Sequence, residues 1–138
     1  MRVAAVIALL GIVGCGAGGT SPEAGSAGAT ELRISYWAQG RTSATPQKWT
    51  LRCAPAGGTL PRAAAACLKL AAMQNPFAPV PRDAICTDVY GGPQVALVTG
   101  TFRGRALWTR LQRRNGCEIA RFQRLSFLVP AFGTSGEA

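Results

Sequence analysis

The sequence predicts an α+β domain that is built on an antiparallel sheet and stapled by disulfides. Five short segments between residues 32 and 129 have the composition or alternation of strands, and only one segment has a convincing helical pattern. Four cysteines lie in the same part of the chain. Strands that outnumber helices and follow one another through short turns indicate this class. About 100 residues remain after an apolar start and a small-residue spacer, which is enough for one modest core.

The first two strands are predicted at 32–37 and 49–53. In the first, Leu32, Ile34 and Tyr36 alternate with polar or aromatic residues, which is the period of a strand with one buried face. A polar, turn-rich connection at 40–47 separates the two segments.

A helix is predicted at 63–73. Pro61 suits a first helical turn, where its missing N–H group has no partner to lose. Cys67 falls on the apolar stripe of this helix, and Asn75-Pro76 ends it. Three prolines between 75 and 83 predict an irregular segment there.

A hairpin is predicted from two strands at 94–102 and 105–112, joined by Arg103-Gly104, and a last strand at 122–129. Five arginines cluster on or beside the hairpin. They have two interpretations: a solvated edge that hinders unwanted strand pairing, or a patch that faces anionic lipid headgroups. These arginines are Arg103, Arg105, Arg110, Arg113 and Arg114.

The cysteines of the body indicate two disulfides formed in an oxidising compartment. Four cysteines in a short exported chain are typical of such a framework, but sequence alone permits three pairings. A metal site is not expected, because the chain has no histidine and no closely spaced cysteine pair. An enzyme is not expected either, since histidine pairs are excluded and the six acidic residues form no obvious acid–base pair. No cofactor is predicted. The four cysteines are Cys53, Cys67, Cys86 and Cys117.

The first residues predict export. An apolar run at 3–13 is too short to span a bilayer but suits a secretory signal. It ends in Ile12-Val13-Gly14-Cys15, which resembles a bacterial lipobox. The resemblance implies that the peptide is cut before Cys15 and that the sulfur of Cys15 carries a diacylglycerol anchor. Residues 16–30 are rich in Gly, Ala and Ser and predict a flexible tether. We therefore expect a domain anchored on the outer face of the membrane; the alternative is ordinary secretion.

The formal net charge is +9, and 13 of the 15 basic residues are arginines. Such a charge fits nucleic acid, an anionic membrane or an acidic partner, and it also fits the arginine-rich composition of a GC-rich genome. Export argues against nucleic acid, so none is expected as a partner.

Residues 49–127 resemble the subtilisin-inhibitor-like proteins, a family of exported inhibitors of serine proteases. All four body cysteines fall at the family's positions, and the combined spacing is far more specific than any single stretch. The matching stretches are Trp49-Thr50-Leu51-Arg52-Cys53, Gly57-Gly58-Thr59-Leu60-Pro61, Ala65-Ala66-Cys67, Cys86-Thr87-Asp88-Val89-Tyr90, Thr99-Gly100-Thr101-Phe102-Arg103-Gly104-Arg105 and Asn115-Gly116-Cys117.

The resemblance implies the disulfides Cys53–Cys67 and Cys86–Cys117. It also implies a five-stranded antiparallel sheet with one or two helices packed on one face, the second helix falling near 75–83. Family members often dimerise through the sheet, so a homodimer is a further expectation. The domain boundaries then become 1–14 for the signal peptide, 15–30 for the lipidated cysteine and linker, 31–130 for the inhibitor-like domain and 131–138 for a disordered tail.

The resemblance further implies an exposed, substrate-like loop at 85–92 that a serine protease of subtilisin-like or trypsin-like fold would bind. The bond offered would be Asp88–Val89, with Asp88 in the primary specificity pocket. Asn115 would brace the loop from behind by side-chain hydrogen bonds. The predicted loop residues are Ile85, Cys86, Thr87, Asp88, Val89 and Tyr90.

Two features depart from the family pattern. A long side chain such as Met or Lys usually stands where this chain has Asp88, and a carboxylate is poorly suited to an apolar pocket. The connection Gly91-Gly92-Pro93 is one residue longer than usual. The alternative function is therefore a surface-anchored binding or envelope-interaction module that keeps the fold without inhibiting.

Overall fold

The computed structural model describes residues 28–41 and 45–133. The predicted signal peptide, Cys15 and nearly all of the linker lie outside these residues. No helix in the described ranges is long and apolar enough to cross a bilayer. The elements are β1 (Thr30–Trp37), β2 (Gln47–Cys53), α1 (Ala63–Ala72), β3 (Val95–Phe102), β4 (Arg105–Leu111), α2 (Gly116–Arg124) and two short 3-10 turns, Ser126–Leu128 and Pro130–Phe132.

The strands form one antiparallel sheet in the order β2-β1-β3-β4. Ile34 in the central strand β1 lies opposite Trp49 of β2 and Val98 of β3. Alternate residues of β1 are buried, as its apolar alternation predicts. The sheet therefore has one covered face and one open face, and the open face carries Arg33, Leu97, Trp108 and Arg110.

Both helices pack on the covered face. Helix α1 buries Ala66 and Leu70, and α2 buries Phe122. The turns that follow α2 add Leu128 and Val129 to the same core. The disulfide Cys53–Cys67 ties the end of β2 to the middle of α1.

The strand predicted at 122–129 is wrong. Residues 122–124 complete α2, and the 3-10 turn Ser126–Leu128 follows, so the sheet of the described residues has four strands rather than five. Phe122, Leu125, Leu128 and Val129 are all buried. Leu125 follows Phe122 by three residues, and Leu128 and Val129 follow Leu125 by three and four. This spacing fits one side of a helical path, but a short apolar run does not distinguish such a path from a strand.

The second helix is α2, and the position that the resemblance implied at 75–83 is wrong. That segment has no regular secondary structure, because its three prolines each remove a backbone donor. The structure also extends the folded domain into the predicted tail: Ala131 and Phe132 pack against the core, and the Phe132 ring lies 4.8 Å from that of Phe122.

The arginines predicted to cluster at the hairpin do not share one surface. Arg103, in the β3–β4 turn, donates to the carbonyls of Leu70, Met73 and Gln74 at the end of α1. It therefore caps the C-terminal end of this helix, where carbonyls lack the intrahelical donors that the following turn would supply. Arg110 lies on the open face of the sheet, whereas Arg113 packs over the ring of Phe132.

Candidate functional site

An exposed loop at 85–92 connects the irregular segment after α1 to β3. Ile85 is fully exposed, and Val89 and Tyr90 expose 54% and 69% of their surface. Among the described residues, only Leu68 and Trp108 are other large apolar side chains with comparable exposure. Three such side chains on one short loop indicate a binding surface, because contiguous exposed apolar area is uncommon in isolated domains.

The loop is covalently fixed to α2. Cys86 pairs with Cys117, the second residue of that helix, with 5.3 Å between the Cα atoms. Together with Cys53–Cys67, this is the pairing that the resemblance implied. The Cys86–Cys117 bond places the start of the loop against a helix that is itself packed on the core.

Two backbone hydrogen bonds hold the loop on either side of the Asp88–Val89 bond. The Gly116 N–H donates to the Thr87 carbonyl at 2.9 Å, and the Gly91 N–H donates to the Arg113 carbonyl at 2.7 Å. Between these points, Asp88, Val89 and Tyr90 stay exposed. The loop thus presents a short exposed stretch whose two ends are tied to the segment around the start of α2.

Two glycines allow this close approach. A Cβ atom on Gly116 would collide with Oγ1 of Thr87, and one on Gly91 would lie 2.8 Å from the side chain of Ile119. Real Cβ atoms do not come so near to other atoms, so larger residues would push the loop away. Sequence analysis assigned no role to Gly116, and the only signal for one was its position between Asn115 and Cys117.

Asn115 lies where helix α2 begins. Its backbone is extended and its Oδ1 accepts a hydrogen bond from the Glu118 N–H at 2.9 Å, so Asn115 is the N-cap of α2. The side-chain oxygen therefore caps the helix, and the neighbouring Gly116 makes the contact with the loop. Support of the loop by Asn115 stays a prediction.

Arg113 and its neighbours lie beneath the far end of the loop. One Nη donates to Oε1 of Gln94 at 3.2 Å, and the guanidinium carbon lies 5.0 Å from the centre of the Phe132 ring. The Tyr36 hydroxyl is buried and has no hydrogen-bond partner among the described residues. Burial raises the pKa of Tyr36 above its ordinary value, and the positive charge of Arg113 opposes this shift.

Arg121 lies on helix α2 and is buried, with 5% of its surface exposed. Its guanidinium donates to carbonyls of the segment before the loop and of β4, and it lies 3.8 Å from a Glu118 carboxylate oxygen. Burial lowers the pKa of Arg121, while Glu118 opposes this effect. An arginine remains charged at neutral pH even so, and sequence analysis did not single it out.

Asp88 stands apart from these contacts. Its side chain is exposed, and it forms no ion pair or side-chain hydrogen bond with the described part of the chain. Within those residues, no three acidic, cysteine or histidine side chains come together as a candidate metal site. The Asp88 carboxylate is therefore free to meet a group on another molecule.

The loop lies within a region of the chain that matches a known protein family. Residues 26–115 match the family described as subtilisin inhibitor-like. The subtilase-type protease inhibitor of Streptomyces coelicolor and a protease inhibitor of Streptomyces lividans are each 39% identical over 89 residues, which is 62% of this chain and 61% of theirs. The match thus spans less than two thirds of these relatives.

A solved structure is also similar. It is the complex of Streptomyces caespitosus sermetstatin with Bacillus licheniformis subtilisin. The similarity covers 80% of this chain and the whole of that one, with 21% identity and a TM-score of 0.44.

Proposed function

The chain belongs to the subtilisin inhibitor-like family, and from that premise we propose that it inhibits a serine endopeptidase with the loop at 85–92. Asp88–Val89 is the bond that the loop offers. One observation carries the proposal: an exposed, partly apolar stretch lies between two tied ends, beside a disulfide. Such a stretch is pre-organised for binding, so little conformational freedom is lost when it enters a cleft.

Inhibition follows from how the loop is held. An extended segment binds along the cleft of a protease as an added strand would. The catalytic serine of the target then attacks the Asp88 carbonyl, with its own histidine as the base. If the bond opens, the disulfide and the Gly116–Thr87 bond retain the acyl side, and the Gly91–Arg113 bond retains the new Val89 amine. The amine therefore stays within reach of the acyl group and reseals the bond.

The identity of Asp88 points to the class of target. An ionised carboxylate in an apolar pocket loses its hydration at a cost of several kcal/mol unless a partner compensates. We therefore propose a target whose primary pocket contains a cationic side chain, that is, a serine protease that cleaves after acidic residues. Subtilisin-like enzymes with apolar pockets are expected to bind weakly.

Export and anchoring also remain proposals. The domain at 31–130 would follow a signal peptide, and the lipid on Cys15 would attach it to the outer face of the membrane. Labelled fatty acid should enter the wild type and not Cys15→Ser; equal labelling would refute lipidation. Pairing of two copies through the open face of the sheet stays a prediction.

A panel of purified serine proteases with acidic, basic and apolar preferences tests the inhibition. We expect stoichiometric and lasting loss of activity for an acid-preferring member. Rapid cleavage of the chain by every protease that acts on it, or no effect on any of them, would contradict the proposal. Those results would favour a binding module that keeps the fold without inhibiting.

A further inference from the structure

Helix α2 is attached at two points to the chain that leads into the loop. One is the disulfide Cys86–Cys117, and the other is a set of hydrogen bonds from Arg121. We propose that Arg121 is a positioning residue that locks the approach segment, residues 77–85, and thereby keeps the loop from being cut as an ordinary substrate. This inference rests on the proposed function for its effect on inhibition, but the locking itself is a property of the free protein.

The contacts of Arg121 with the approach segment are to backbone atoms. Its Nε donates to the Ala78 carbonyl at 2.8 Å and one Nη donates to the Phe77 carbonyl at 3.1 Å. The Phe77 ring is packed against Phe102, with 5.0 Å between ring centres, and so fixes the position of residue 77. The two bonds from Arg121 then fix the direction in which the chain leaves that anchor.

The same guanidinium is fixed from the other side by β4. It donates to the Arg110 carbonyl at 2.8 Å and to Oγ1 of Thr109 at 2.5 Å. A guanidinium presents its donors in a rigid fork, so bonds to β4 determine where the remaining donors point. Arg121 therefore joins the approach segment to the sheet as well as to α2.

Cys117 and Arg121 are four residues apart and so lie on the same side of α2, one turn from each other. The first holds Cys86 and the second holds Ala78, so a single helix fixes both ends of the intervening span. Within that span, Pro79 and Pro81 restrict the backbone. A cleft lined by Val80 and Ala84 on one side and Ala120 on the other separates the span from α2. The end points therefore carry most of the restraint.

A buried arginine could also serve only to attach α2 to the sheet. The two roles differ in what a substitution changes. If Arg121 only attaches α2, its loss lowers the stability of the whole domain, but residues 78–85 stay as rigid as the sheet in the molecules that remain folded. If it positions the approach segment, its loss loosens residues 78–85 while the sheet stays rigid.

The test compares four variants of the mature chain. Arg121→Met removes all donors, and Arg121→Lys keeps the charge but not the fork. Thr109→Val removes one bond on the β4 side and leaves the carbonyls of Phe77 and Ala78 in reach. Arg124→Met is the matched control: Arg124 is an exposed arginine of the same helix that lines the same cleft but donates no hydrogen bond to the approach segment.

The first readout is the backbone ¹⁵N order parameter of Val80 and of residues 82–85, measured without protease. In the wild type and in Arg124→Met we expect values of about 0.85, and in Arg121→Met a fall below about 0.6, with β1 and β3 unchanged. Thr109→Val should stay close to the wild type and Arg121→Lys should lie between. Mobile wild-type residues, unchanged values in Arg121→Met, or an equal change throughout the domain would overturn the proposal.

The second readout is the rate at which an inhibited protease hydrolyses Asp88–Val89, measured well below the melting temperature of each variant. We expect Arg121→Met to be cut at least about tenfold faster than Arg124→Met. An unchanged rate would overturn the link to inhibition. If Arg121→Met does not fold, Arg121→Lys decides both readouts. If the wild type inhibits no protease, the proposed function fails while the order parameters still decide whether Arg121 locks the segment.

Discussion

In the proposed function, Asp88 enters the primary pocket of the target and sets the specificity. Its carboxylate is exposed and has no partner within the described part of the chain, so it is free to make a contact in such a pocket. Replacing Asp88 by Lys should create inhibition of trypsin-like enzymes, and Asp88→Met should create inhibition of subtilisin-like ones. The gain should reach at least about 100-fold in the inhibition constant, since an unpaired carboxylate in the pocket costs several kcal/mol. Inhibition constants for all three side chains against the same enzymes provide the measurement.

Asp83→Lys is the matched control, because it makes the same change of charge on the other side of Cys86. It should leave the preference for enzymes unchanged. If Asp83→Lys and Asp88→Lys have equal effects, long-range charge explains the gain and Asp88 is not the residue that enters the pocket.

The buried hydroxyl of Tyr36 should make the free energy of unfolding depend on pH in the alkaline range. Burial raises its pKa above the ordinary 10.0, so above about pH 10 the unfolded chain releases the proton while the folded chain retains it. The free energy of unfolding should therefore fall as pH rises through this range. Tyr36→Phe should lose less stability between pH 9 and 11 than the wild type does, as measured by urea unfolding at each pH. Identical slopes for the two proteins would show that the Tyr36 hydroxyl is not protected from solvent.

At the scale of elements, α2 matters most, because it provides Gly116 and Cys117 to the loop and Arg121 to the approach segment. Asn115 sets the first turn of this helix, so Asn115→Ala should lower the free energy of unfolding by about 1 kcal/mol. It should also weaken inhibition, since Gly116 follows directly. Urea unfolding and the inhibition constant measure the two effects.

Asn115→Asp separates capping from a direct brace. An aspartate keeps the acceptor for the Glu118 N–H and is favourable at a helix N-terminus, so it should behave like the wild type. If Asn115→Asp inhibits as poorly as Asn115→Ala, the amide nitrogen of Asn115 contacts the loop directly, as the family resemblance implied.

Sequence reasoning succeeded where the signal was local. The alternation in β1 and the turn at Arg103-Gly104 each lie within a few residues, and the structure has these elements close to their predicted bounds. Helix α1 also forms close to its predicted bounds, although Pro61 precedes the N-cap Arg62 and does not stand in the first turn. It failed at 122–129, because Phe122, Leu125, Leu128 and Val129 suit a buried strand as well as a helical path. Only packing against the sheet decides between the two.

The site divides in the same way. The disulfide pairing and the position of the loop were predicted from the resemblance to a family. Gly116 and Arg121 were not, since their partners, Thr87 and Phe77, are distant in sequence and only the fold brings them together. A buried arginine is also indistinguishable in sequence from the exposed ones that surround it.

At the scale of the whole molecule, the two disulfides have different tasks. Cys53–Cys67 closes a separation of 14 residues and Cys86–Cys117 one of 31, so in the chain-entropy model each contributes roughly 3 to 4 kcal/mol. Replacing either pair by alanine should therefore lower stability by similar amounts. Only the loss of Cys86–Cys117 should abolish lasting inhibition, because only that pair holds the loop. Unfolding and inhibition should be measured at a temperature where both variants are folded, and equal inhibition by both would contradict the distinction.

Lasting inhibition by the loop requires above all that both sides of Asp88–Val89 remain in place when the bond is attacked. Mass spectrometry under non-reducing conditions, after long incubation with a protease that the wild type blocks, measures this directly. The fraction of chain cleaved at Asp88–Val89 should reach a constant value well short of completion while the protease stays inhibited. The same value should be reached whether the incubation begins with intact or with cleaved protein. Complete cleavage with recovery of protease activity, or cleavage confined to other bonds, would contradict this mechanism of inhibition.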